Sequence, residues 1–352
     1  MSTAFFDDLD DASRNEIINS CKGLRILSTL PYKKIKFWND CVETCKTEST
    51  SFNRIFELLK SAGKYDVVML TGGEKIDLLY AAIAFFAFWV KTPHIVVDAH
   101  WQKKSGFAYA IQKIIIKLSN RLVNQYHVHS VEEIAIYSAL FHIPINKLTS
   151  IPWSTSLVGH DIKFLSALEK SDRALTGGSS FRDYEALFSA VCNLNINIDV
   201  GIKQGKLTDD LQKRWSACSN IHFLTRLSNA EYLKLMAGCK FFLMPIKSNL
   251  NRSTADQTIL NAMFFGRVVI ATDSIGSRIY IRHGVNGFLV SANSAEEWKS
   301  IIDHVLSLPS HQIQKISENA SYDAKVLFNE PLRLYRTLKT AVEVAHQSKF
   351  LD

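Results

Sequence analysis

Residues 223–290 read FLTRLSNAEYLKLMAGCKFFLMPIKSNLNRSTADQTILNAMFFGRVVIATDSIGSRIYIRHGVNGFLV, and their alternation decides the fold. A strand and a helix lead to a second strand, Phe241–Met244, which Pro245 stops because proline has no N–H to give a sheet. The polar loop IKSNLNRSTADQT follows. A helix with the core ILNAMFFG ends at Gly266, and Val268–Asp273 is the next short apolar run. Short apolar runs separated by helices of roughly 10–15 residues predict βα units and a parallel sheet. Such sheets bind ligands past the carboxyl ends of their strands. The loop before Asn261 lies at such an end and feeds a helix N-terminus, whose free N–H groups attract anions. A phosphorylated ligand is the expected guest.

Working outward, the same alternation extends toward the N-terminus. YDVVML (Tyr65–Leu70) and HIVV (His94–Val97) read as strands, with Thr71-Gly72-Gly73 and Asp98–His100 at their carboxyl ends. Ser130 caps the helix VEEIAIYSALF, with Glu133 at the capping-box position. The apolar run Leu78–Val90 is too short to cross a bilayer. It is expected as a helix buried on a sheet, or as one that partly meets a membrane. Residues 1–20 are polar and expected to be loosely ordered.

The run MP…STADQTILNAMFFGRVVIATD…IRHGVNGFLV resembles the donor-binding half of GT-B glycosyltransferases, close to glycosyltransferase family four. Residues 127–153, HVHSVEEIAIYSALFHIPINKLTSIPW, are similar to the segment that closes the first half of those enzymes. The resemblance implies an α/β GT-B fold, two Rossmann-like domains facing across a cleft. Residues 1–160 would form the acceptor domain and 161–330 the nucleotide-sugar donor domain. A terminal helix, 331–346, would cross back onto the first. The implied activity moves a sugar from a nucleotide-diphosphate-sugar donor to a saccharide or lipid-linked acceptor, in surface polysaccharide or glycolipid assembly. It implies no metal and no cofactor, the nucleotide-sugar being a substrate.

Four segments carry the chemistry. ALTGGSSFRDYEAL (Ala174–Leu187) runs from a strand through Gly177 and Gly178 into a helix, so backbone N–H groups can approach a diphosphate with no Cβ in the way. Arg182 stands where it can reach a phosphate or a nearby acid. In family four, two carboxylates eight positions apart in the second loop hold the transferred sugar and the ribose; here those places fall on Ser253 and Asn261, neither of them acidic. Asn261 can still bond ribose hydroxyls through its amide, and Ser253 and Thr254 can bond phosphate or sugar oxygens. Asp256 is the nearest acid, and Lys247 and Arg252 bring positive charge suited to a leaving diphosphate. Arg226 and Leu227, after the strand HFL, are expected beside the nucleotide base. In the first half, Asp98 and His100 offer a general base or a group that orients a hydroxyl. The missing carboxylates keep a second reading open, a non-catalytic GT-B-like subunit that binds a nucleotide or a partner enzyme. A sugar-nucleotide epimerase of the same architecture is a third reading, disfavoured because this loop is poor in acids.

Composition bounds the rest. The 352 residues are 47% hydrophobic and 21% charged, as in a globular chain of two ordinary domains. The net charge of +7 is divided almost evenly between the halves, so no nucleic-acid footprint is visible. A basic surface does suit anionic nucleotides and anionic lipid headgroups, and peripheral membrane contact is part of the expectation. The six cysteines lack zinc spacing and are expected as free thiols, and the N-terminus carries no secretory signal, which predicts a cytoplasmic setting.

Overall fold

The computed structural model describes residues 9–349 except 31, 33–34, 49, 74, 156 and 158–170. The chain divides into two compact units: one runs to Trp153 and resumes at Glu330, and the other spans Ser154–Asn329. The sequence expectation set the change of domain at residue 160 and the return after 330; most of the stretch around that first boundary lies outside the described residues.

The first unit is built on β1 (Ile26–Ser28), β2 (Val42–Thr44), β3 (Val67–Thr71), β4 (His94–Val97), β5 (Val123–Val128) and β6 (Leu148–Ser150). All pairings are parallel, in the order β2-β1-β3-β4-β5-β6. Successive side chains of a strand face opposite ways. Val68 and Leu70 therefore meet one helix layer, through Ile55, Leu58, Tyr80, Ile116 and Tyr137. Val67 and Met69 meet the other, through Ile17, Phe37, Trp38, Leu334 and Leu338. The first layer comprises helices Asn53–Ser61, Lys75–Ile83, Gly106–Ser119 and Val131–Phe141; the second comprises Asp11–Cys21, Lys36–Cys41 and Glu330–Lys349. The capping box on Ser130 and Glu133 is formed, and the helix it starts ends at His142 in the left-handed region (φ 54).

Two expectations fail in this unit. Residues 11–21 are a helix rather than loose chain, because Asp10 caps its N-terminus and Ile17 and Cys21 bury beneath it. The apolar run 78–90 is not one buried helix. The helix stops at Ile83, the chain then turns, and Phe86, Phe88 and Trp89 point to solvent. After Ile83 the backbone tightens to bonds three residues apart, and the guanidinium of Arg121 braces that turn through the carbonyls of Ala84 and Ala87, a long-range contact that local sequence does not carry.

The second unit carries β7 (Ala174–Gly177), β8 (Ile198–Gly201), β9 (Ile221–Leu224), β10 (Phe241–Met244), β11 (Val268–Thr272) and β12 (Phe288–Val290), again all parallel, in the order β12-β11-β10-β7-β8-β9. From β7 the chain steps outward one way through β8 and β9, then returns beside β7 with β10 and steps the other way. That reversal makes the β7/β10 junction the topological switch point, where α/β sheets open a crevice for ligands. The turn 282–287 is locked by Asn286, fully buried, whose amide donates to the Tyr280 carbonyl and to Asp323. His283 accepts from the Leu289 N–H, which sets the entry to β12. The cysteines depart from expectation. Cys192 and Cys218 form a disulfide, while Cys21, Cys41, Cys45 and Cys239 are buried free thiols. Among the described residues no helix is long and apolar enough to cross a membrane.

Candidate active site

In the second unit the two polar loops singled out in the sequence leave β7 and β10, the strands that flank the switch point, and they are joined to each other. Lys247 N–H donates to Phe181 O (3.0 Å) and Asp183 N–H to Pro245 O (3.2 Å), around a bridge between Arg182 and Ile246. Gly178 lies at φ +94, which a residue with a side chain adopts only with strain. Arg182 folds back over this glycine, donating to Gly177 O (3.1 Å) and Ser180 O (2.9 Å). It braces the loop, where the sequence expected it to reach a phosphate or a nearby acid. Tyr184 donates to Gly178 O at 2.6 Å, and the Gly178 N–H donates to Gly201 O at 3.1 Å, so the glycine turn is held on both sides.

The β10 loop ends in a helix, Asp256–Phe264, whose N-cap Ala255 is left-handed (φ 69). Ser253 is fully buried and donates to Asp256 (2.8 Å), so the nearest acid is spent on organising the helix start. Thr254 is buried beside it, and Gly276 lets the next loop approach, since a Cβ there would fall 2.8 Å from Thr254 N. Asn261 is buried, and its amide oxygen accepts from Thr155 at 2.8 Å. Lys247 is exposed at the mouth of the loop, and Arg252 lies 5.0 Å over the Phe181 ring, again linking the two loops. Arg226 and Leu227 follow β9, outside the switch point on the β8 side, with Leu227 packed near Gly201.

Sequence reading missed Tyr232. This side chain fills the space above Gly177 and Gly201: a Cβ on Gly177 would sit 2.4 Å from its hydroxyl, and one on Gly201 2.6 Å from its ring. The only sequence signal was a glycine at the end of each of two neighbouring strands.

In the first unit Asp98 follows β4 at φ 59 and is buried, and Gly72 makes room for its backbone. Both carboxylate oxygens accept from the Arg333 guanidinium, which also donates to Tyr32 (2.6 Å) and stacks 4.3 Å over Trp153. His129 Nε2 lies 3.4 Å from the same carboxylate. Burial alone would raise the Asp98 pKa, but the charge of Arg333 and the contact with His129 hold it far below the usual carboxylate range. Such a carboxylate is a counter-ion and a poor proton acceptor, which corrects the expectation that Asp98 acts as a base. His100 is half-buried, with its ring 5.1 Å from that of His129, and is the candidate left for proton transfer. Of the two acids after β3, Asp77 is fully buried and paired with Arg54 (3.1 Å), and Glu74 lies outside the described residues.

Residues 198–307 match the family described as Glycosyl transferases group 1. Among solved structures, HepE of Anabaena in complex with UDP is similar over 95% of this chain and 96% of its own, at 16% identity and a TM-score of 0.65. A glycosyltransferase from Rickettsia africae is similar over 95% and 94%, at 15% identity and a TM-score of 0.63. Sucrose-phosphate synthase from Thermosynechococcus elongatus is similar over 85% and 81%, at 15% identity and a TM-score of 0.58. No curated protein sequence matches this one. At these identities the likenesses show the fold, and that fold is GT-B, α/β with two six-stranded parallel sheets.

Proposed function

We propose that this chain, a glycosyltransferase by its matched stretch and its GT-B fold, draws its sugar from a nucleotide-diphosphate-sugar bound in the second unit and passes it to a lipid-linked or saccharide acceptor in surface polysaccharide or glycolipid assembly. The observation that carries the reading is the pair of loops at the β7/β10 switch point. Their hydrogen-bonded frame holds a glycine turn and a helix N-terminus side by side past the strand ends, where a diphosphate would lie. As the glycosidic bond breaks, charge grows on the leaving diphosphate, and that helix end together with Lys247 and Arg252 would stabilise it. Serine 253 and Asn261 would meet sugar and ribose with hydrogen bonds in place of carboxylates. The nucleotide base would rest near Arg226 and Leu227. His100 would receive or orient the acceptor proton. The setting is the cytoplasmic face of a membrane, and no metal takes part.

The test is a thermal-shift screen with nucleotides, followed by hydrolysis of UDP-, GDP- and ADP-sugars and mass spectrometry of transfer to lipid-linked acceptors. Nucleotide-dependent stabilisation with slow donor hydrolysis is expected, unaffected by EDTA. Binding without turnover in the presence of acceptor favours the non-catalytic reading, which the engagement of Asp256 by Ser253 and the absence of the paired acids motivate. His100→Ala is expected to lower transfer by at least about tenfold and leave donor affinity nearly intact. An unchanged transfer rate would move the proton-handling group elsewhere.

A further inference from the structure

We infer that the first unit docks on an anionic lipid bilayer through the 84–91 turn and the outer face of the helix Gly106–Ser119. The inference deepens the reading of a lipid-linked acceptor by naming the surface that meets the membrane, and its test needs no turnover.

The apolar exposure is concentrated and patterned. Phe88 and Trp89 are each 70% exposed and Phe107 is 81% exposed. In the helix, Phe107, Ile111 and Ile114 recur at spacings of four and three, so they share one face, while Ile116 and Ser119 bury on the sheet side. A helix that is already seated on its core has no folding reason to carry a second apolar stripe, and exposed patches of this kind mark interaction sites. The exposure is also one-sided. The other large exposed hydrophobics of this unit, among the described residues, are Phe52, Phe56, Ile83, Phe86, Val131 and Ile145. They lie on that same helix layer or its connections, and none lies on Asp11–Cys21, Lys36–Cys41 or Glu330–Lys349.

The turn is braced rather than loose. Arg121, just past the helix, donates to the carbonyls of Ala84 (2.8 Å), Ala87 (3.1 Å) and Val90 (3.4 Å), and its guanidinium lies 5.3 Å from the Phe88 ring centre. The aromatic side chains are thus presented by a fixed backbone.

Charge selects the partner. Between residues 78 and 131 the chain has six Lys and Arg and a single acid, Asp98, which is buried against Arg333. Lys91, Lys103, Lys104 and Lys117 stand exposed around the apolar stripe. Aromatic rings favour the boundary between headgroups and acyl chains, and lysines favour the anionic headgroups above it. A surface that joins the two matches an anionic bilayer; the nearest exposed acid in sequence is Glu132, in the first turn of the next helix. The contact is peripheral, since no described helix can span.

The test uses the full chain with sedimenting vesicles of phosphatidylcholine alone or mixed with phosphatidylglycerol. The wild type should pellet with the mixed vesicles, weakly with the neutral ones, and less as salt rises. The double variants Phe88→Ser with Trp89→Ser, and Lys103→Glu with Lys104→Glu, should each bind at least about tenfold more weakly while unfolding at the wild-type temperature, all four side chains being exposed. No pelleting with mixed vesicles overturns the inference, as does binding that either variant leaves unchanged. Self-association in solution that Phe88→Ser with Trp89→Ser abolishes, without vesicle binding, would make the face a protein interface and also overturn it. Vesicle binding in a protein that turns over no donor leaves docking standing and sinks the transferase reading; donor turnover without vesicle binding does the reverse.

Discussion

Tyr232 and its two glycines show how one side chain shapes a strand edge. Gly177 and Gly201 are needed because the ring of Tyr232 occupies the space their Cβ atoms would take. Gly177→Ala should therefore destabilise the second unit by about 1–3 kcal/mol through overpacking. The Tyr232 hydroxyl is buried with no hydrogen-bond partner among the described residues, which is costly to maintain. Tyr232→Phe should leave the nucleotide-free protein as stable as the wild type or up to about 1 kcal/mol more stable; a clear loss in urea unfolding would mean the hydroxyl has a partner. In the first unit the decisive pair is Asp98 and Arg333. Arg333→Met strands a buried carboxylate and should cost about 3–5 kcal/mol, and adding Asp98→Asn should recover much of it. Equal unfolding midpoints for the single and double variants would contradict that coupling.

At the scale of elements, the strand-to-helix loops that frame the β7/β10 junction were legible because glycine, proline and small polar residues punctuate them. The Ser130–Glu133 cap was legible for a similar reason, a short-range pattern with one geometric solution. What could not be read depended on distant partners. The apolar run after Leu78 holds no glycine or proline to announce that its helix stops at Ile83; the turn that follows is braced by Arg121, just past the neighbouring helix. Strand β2 is too short for periodicity to register. Asp98 looked like a base because Arg333, its partner, lies far along the sequence. Cys192 and Cys218 pair across a spacing that no metal or redox motif uses. Gly178 tests the loop reading directly. Valine there would force a β-branched residue to φ +94 with Arg182 atoms 3.0–3.3 Å from its Cβ. Gly178→Val should weaken nucleotide binding in a protein that still folds, measured by titration calorimetry; full affinity would put the diphosphate elsewhere.

For the molecule as a whole, acid is the expected weakness of the first unit. His94 and His127 are buried, and burial pushes each down to about 4; the Thr92 carbonyl raises His94 somewhat, and Asp98 raises His127. In the neutral ring of His94, Nδ1 donates to Thr92 O (2.7 Å) and Nε2 accepts from Tyr80 (2.9 Å), which fixes its tautomer. Between the ordinary histidine value of about 6.5 and 4, the unfolded chain binds protons that the folded chain refuses. Stability is full above that window and falls as pH drops through it, by up to about 1.4 kcal/mol per pH unit for each histidine. Asp98, depressed in its turn, adds a further loss below about pH 4. Urea midpoints followed across this range should fall with acid, and His127→Leu should flatten the slope; an unchanged slope would show that His127 titrates freely in the folded protein.

The two-part first unit has a consequence for the chain during its synthesis. The core around Ile26, Val67, Met69 and Val97 is closed by Leu334, Leu338 and Ala341 of the returning helix, yet residues 154–329 must be translated between them. At ordinary elongation rates that leaves an apolar sheet face uncovered for roughly 10–35 s, while the second unit, contiguous in sequence, can fold as soon as it clears the ribosome. Nascent chains of this protein are therefore natural clients for a holding chaperone, and the second unit matures before the first.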